Sequence, residues 1–77
     1  MATTPVEVNN TTYTLVLDGA GFVYSEMEVE YLFSATQPSG KGMTLNPRNQ
    51  MRGMTGQKLW AKSVVFALVD VLVSPEV

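Results

Sequence analysis

The chain has 77 residues, seven of them acidic and five basic, for a formal net charge of −2, and it contains neither cysteine nor histidine. A chain this short buries only about 60% of the surface it exposes when unfolded, so its fold needs staples or partners. The missing residue types exclude disulfides, thiolate metal sites and imidazole ligands, which leaves self-association as the support. The charge balance offers no basic stripe for phosphates, so no nucleic-acid partner is expected.

Residues 1–10 have neither the basic start nor the apolar stretch of a signal peptide, which points to synthesis in the cytoplasm. Pro5 and the small polar residues around it read as an extended polar arm over 1–10, ahead of a single β domain over 11–77. Asn9-Asn10-Thr11-Thr12 contains overlapping Asn-x-Thr sequences, which without secretion read as a polar turn.

Over residues 11–18, Thr12, Thr14 and Val16 alternate with Tyr13, Leu15 and Leu17, the pattern of a strand, and Asp18-Gly19-Ala20-Gly21 ends it as a turn. Phe22-Val23-Tyr24 reads as a short strand or a packed loop. Over residues 29–36, Val29, Tyr31, Phe33 and Ala35 alternate with Glu30, Leu32 and Ser34. Proline and glycines make residues 37–42 a turn. Residues 42–45 read as an edge strand ended by Asn46-Pro47-Arg48-Asn49. Gly53 and Gly56 bracket a tight turn, after which Leu59 and Ala61 alternate with Lys58, Trp60 and Lys62.

The carboxy-terminal run is almost wholly apolar. Val65, Ala67, Val69, Val71 and Val73 fall on one side of an extended chain, with Phe66, Leu68 and Leu72 on the other. Both faces require cover, one from the chain's own sheet and the other from a neighbouring copy. Phe66, Leu68, Val69, Val71, Leu72 and Val73 are therefore the expected oligomer interface. A turn between Ser63 and Ala67 has no glycine or proline to mark its position. The apolar run, about ten residues broken by Asp70, is too short for a membrane helix, so no membrane partner is expected. No window shows a sustained helical period, and the fold expected is all-β: a compact antiparallel β-sandwich or β-roll of about five to seven short strands, assembled as a symmetric oligomer.

Chemistry-bearing residues are sparse. Glu26, Glu28 and Glu30 recur at period two and would align three carboxylates on a straight strand, whereas calcium sites draw ligands from a curved loop; a solvated strand face is the better reading. With no histidine to activate a serine, and Lys62 on the opposite strand face from Ser63, no nucleophilic site forms. Lys41-Gly42-Met43-Thr44 lacks the glycine spacing and flanking elements of a phosphate loop. The chain thus reads as non-enzymatic, without cofactor or metal. Trp60, Met51 and Met54 are candidate partner contacts, since methionines adapt to irregular surfaces and a tryptophan flanked by lysine stems makes an interface hub, although for the methionines filling gaps in a small core is the better reading.

Residues 29–38, then Gly42-Met43-Thr44-Leu45-Asn46-Pro47-Arg48-Asn49-Gln50-Met51, then Thr55-Gly56-Gln57-Lys58-Leu59-Trp60-Ala61-Lys62-Ser63 and the valine-rich end resemble small structural proteins of tailed bacteriophages. The resemblance spans residues 11–74. It departs at Asn46-Pro47-Arg48-Asn49, where the pattern has glycine after the proline. It implies a compact β-roll or sandwich, assembly around a threefold axis, and a place on the virion as a capsid decoration, head-fibre or spike component bound to the major capsid protein or another virion protein. The alternative is a small binding module: an adhesin-like piece contacting glycan through Trp60 with Tyr24 or Tyr31, or an inhibitor covering a host factor.

Overall fold

The computed structural model describes residues 3–75. Among them eight strands form two four-stranded antiparallel sheets packed as a sandwich, with no helix. In chain order the strands are β1 (Thr4–Asn9), β2 (Thr14–Asp18), β3 (Gly21–Ser25), β4 (Val29–Phe33), β5 (Met43–Leu45), β6 (Asn49–Gly53), β7 (Lys58–Ser63) and β8 (Leu68–Pro75). The first sheet has the order β1-β8-β3-β6 and the second β2-β7-β4-β5. The strand directions bring the four arches at residues 10–13, 26–28, 46–48 and 64–67, each crossing from one sheet to the other, to one end of the sandwich.

Period-two patterning sets the core. Val8 on β1, Val23 on β3 and Val69, Val71 and Val73 on β8 point inward from the first sheet, facing Val29, Leu59 and Ala61 from the second. Leu17 crosses the layers at a point where its isopropyl group covers Gly21 and Gly53, which pair across β3 and β6. A Cβ on Gly53 would come 2.5 Å from the Leu17 side chain, so these two glycines provide the room Leu17 fills.

Four expectations change. The segment expected as a polar arm is an ordered edge strand from residue 4: Val6 and Val8 alternate inward, Val8 is fully buried, and β1 pairs with β8 from Thr4↔Val73 to Asn9↔Leu68. Pro5 is compatible with this because an edge strand has one row of amides that needs no partner. With β1 and β3 both in the sheet, the strand count rises from the expected five to seven to eight. On β2 the alternation breaks at a β-bulge between Leu15 and Leu17, which turns Leu15 outward while Val16 and Leu17 both enter the core.

The fourth change concerns the valine ladder. The turn expected between Ser63 and Ala67 is an arch over residues 64–67, and β8 begins at Leu68. The alternation holds from there on, with Val69, Val71 and Val73 inward and Leu68 and Leu72 outward. Val69, Val71 and Val73 are thus core residues of the protomer and no part of an oligomer interface. The opposite sheet supplies the cover that one face of the ladder requires. Phe66, Leu68 and Leu72 remain exposed.

Candidate functional site

The two outer faces of the sandwich differ. On the second sheet, the connection at residues 34–42 lies as a strap over the outward side chains of β7, β4 and the approach to β2. The Trp60 indole N–H donates to the Ser34 carbonyl at 2.9 Å, Gln37 Nε2 donates to the Tyr13 carbonyl at 2.8 Å, and the Tyr13 hydroxyl donates to the Gly40 carbonyl at 2.9 Å. Glu30, opposite Lys62 in the β4–β7 register, accepts the Gly42 amide at 3.2 Å and pairs with Lys62 Nζ at 3.8 Å. The Lys62 ammonium lies 4.8 Å from the centre of the Tyr13 ring.

Tyr13 is buried at the centre of this cluster. Burial, and after it the negative charge of Glu30, raise its phenol above the ordinary tyrosine value, while a backbone hydrogen bond from the strap works in the opposite direction. Gly42 is required at its position: a Cβ there would stand 2.6 Å from the Tyr13 hydroxyl oxygen and 2.7 Å from the Tyr31 carbonyl oxygen. Sequence reasoning missed this cluster because its polar members are spread from residue 13 to residue 62 and meet only through sheet register and the strap.

Two clefts flank the strap. One of about 300 Å³ is lined by Phe33, Ser34, Ala35, Gly56, Gln57 and Lys58. The other, of about 250 Å³, has Thr11, Thr12, Gln37, Ser39 and Lys62 in its wall. Neither has a carboxylate among its lining residues.

The outer face of the first sheet has no such cover from the described residues. The register places Pro5, Leu72, Tyr24 and Gln50 in one row across β1, β8, β3 and β6, and Ser74, Phe22 and Arg52 in the next, with the Arg52 guanidinium 5.5 Å from the centre of the Phe22 ring. Glu7 and Asp70 form the row on the other side of Leu72, and Asn9 and Leu68 the row beyond that.

The sequence-flagged residues therefore scatter. Trp60 lies on the outer face of the second sheet with its N–H occupied, Tyr24 on the outer face of the first, and Tyr31 against the core, so the three form no shared aromatic shelf. Met51 packs against the core from β6, and Met54 is exposed in the turn after it. Glu26 and Glu28 belong to an arch, and Glu30 is drawn away to Lys62 on the strapped face.

What the structure does bring together is an apolar tip at the arch end. Val64, Val65, Phe66 and Leu68 are 39%, 69%, 48% and 58% exposed, and Met27 from the neighbouring arch is 37% exposed. Two buried serines brace these arches: the Ser63 hydroxyl donates to the Phe66 carbonyl, and the Ser25 hydroxyl donates to the Met27 carbonyl at 2.6 Å. No protein-family model matches the chain, and neither a curated protein nor a solved structure matches it.

Proposed function

We propose that the chain is a non-enzymatic structural component of a virion, of the capsid-decoration, head-fibre or spike type, which self-associates and docks on the major capsid protein or another virion protein. The resemblance over residues 11–74 suggests this context and a threefold assembly. The observation that carries the reading is the exposure of Val65, Phe66, Leu68 and Leu72 on one small β-sandwich. Large apolar side chains gathered on one end and one face of so small a sandwich support a surface built for contact. A component made in many copies gains from such contacts, because weak interfaces add when repeated over a particle.

Two measurements test the proposal. Sedimentation of intact particles should show the protein co-migrating with capsids, and particles lacking it should gain it when it is supplied in solution. The mass of the isolated protein at micromolar concentration should be a multiple of the protomer mass, three copies being expected. A protein that never co-sediments with particles loses the virion role, and a protein monomeric at every concentration loses self-association.

A further inference from the structure

Building on the self-association reading above, we propose that the arch at residues 64–67 is the contact by which one copy holds a neighbouring copy, with Arg48 of one chain set against Glu26 and Glu28 of the next. The flat face of β8, where Leu72 lies, is then not the seat of the contact.

The arch presents Val64, Val65 and Phe66 consecutively to solvent, an arrangement that a loop with nothing to meet would avoid. It is held in shape before any partner arrives. The hydroxyl of the buried Ser63 at its base donates to the Phe66 carbonyl, so little conformational freedom is lost on docking. Val29 pairs with Ser63, which sets the residues just outside that pair, Glu28 and Val64, side by side at the arch end. Met27 extends the apolar surface from the adjacent arch.

Charge identifies the occupant. The Arg48 amide donates to the Ser25 carbonyl at 2.8 Å, which sets Arg48 beside the arch that carries Glu26 and Glu28. Glu26 and Arg48 are exposed and Glu28 is partly so. A rim carrying both signs next to an apolar centre is complementary to itself: in a symmetric contact the arginine of each copy meets the glutamates of another. A lipid surface fits less well, because the glutamates beside the apolar tip would be pressed against anionic headgroups. The acidic row of Glu7 and Asp70 separates Leu68, next to the arch, from Leu72 in the middle of the face, so the two apolar patches are distinct and can be tested apart.

The test is sedimentation equilibrium of the full chain and of single variants, with circular dichroism to establish that each is folded. Val65→Asp and Phe66→Asp should each weaken association by about 100-fold, the scale of losing an apolar anchor at the centre of a contact. Leu72→Asp should leave it within about threefold, the scale of a residue outside the contact. Arg48→Glu and the double variant Glu26→Arg with Glu28→Arg should each fail to associate, and the three substitutions placed in one chain should restore association, because the reversed charges then meet at every contact of the ring. Should Leu72→Asp dissociate the protein while the arch variants stay associated, or the triple charge-reversal variant fail to associate, the arch contact is overturned and self-association stands. Should wild type be monomeric, both fall. A monomer whose arch binds vesicles of phosphatidylcholine and phosphatidylglycerol would replace the neighbouring copy with lipid.

Discussion

Glu7 on β1 and Asp70 on β8 stand directly opposite one another on the outer face of the first sheet, both exposed. Like charges in register on adjacent strands repel, and opposite charges in the same place attract by a similar amount. Glu7→Lys should therefore raise stability by about 0.5 kcal/mol in low salt, and the gain should shrink as salt is added. Adding Asp70→Lys to that variant restores a like pair and should return stability to near the starting value. Urea unfolding of the three proteins checks the sign and the salt dependence together.

The strap depends on a residue without a side chain. A Cβ on Gly42 meets two oxygens, the Tyr13 hydroxyl at 2.6 Å and the Tyr31 carbonyl at 2.7 Å, and the second belongs to the paired backbone of β4 and cannot swing away. Gly42→Ala should cost about 1–3 kcal/mol, the usual scale for forcing an extra methyl into a filled space. Tyr13→Phe in the Gly42→Ala background removes only one of the two oxygens, so a thermodynamic cycle should show partial relief. Full relief would mean that the strap moves as a whole.

Tyr13 gives the fold a dependence on alkaline pH. In the unfolded chain its phenol ionises near the ordinary tyrosine value of about 10. In the folded protein, burial first and Glu30 second raise that value. Between the two values the unfolded chain has lost a proton that the folded chain keeps, and stability falls as pH rises wherever the unfolded state binds fewer protons. The contribution of Tyr13 is thus fully present below about pH 10 and is lost as pH rises through its folded value. Urea midpoints followed from about pH 9 to 11 should drop more steeply in wild type than in Tyr13→Phe. Equal slopes would show that the tyrosine is not what senses the pH.

Strand alternation carries most of the fold in the sequence, as Leu59 and Ala61 against Trp60 and Lys62, and Val69, Val71 and Val73 against Leu68 and Leu72, both fall on the faces their spacing dictates. Three things lay outside its reach. Val6 and Val8 offer only two apolar positions beside a proline, too short a period to distinguish a strand from an arm, although the valines alternate correctly once β8 is there to receive them. The bulge at Val16 inserts one residue into an otherwise regular pattern, so Leu15 and Leu17 part company with no local residue to announce it. The third is the strap cluster. Tyr13, Glu30 and Lys62 are far apart in the chain and meet only because β2, β7 and β4 are neighbours, an order that local patterning does not specify. The exposed tip is legible as apolar sequence, and the turn expected between Ser63 and Ala67 is where the arch lies; only its bounds go unmarked, since residues 64–67 contain none of the residues that favour turns.

Arg48 links protomer stability to assembly in opposite directions. It follows Pro47 at the position where the resembled pattern has glycine, and its φ is 62°, the left-handed region that a side chain makes costly and that glycine enters freely. Arg48→Gly should stabilise the protomer by up to about 1 kcal/mol, the left-handed penalty less the extra freedom that glycine gives the unfolded chain. Arg48→Ala keeps a Cβ and should gain little. Both variants remove the cation that the arch contact uses, so both should weaken association, and only the glycine variant should do so while unfolding later in urea. If Arg48→Gly both unfolds earlier and associates as wild type does, neither the backbone strain nor the charge at residue 48 has the role assigned to it; a protomer made firmer while its assembly is loosened can arise only if the two effects belong to separate parts of the same residue.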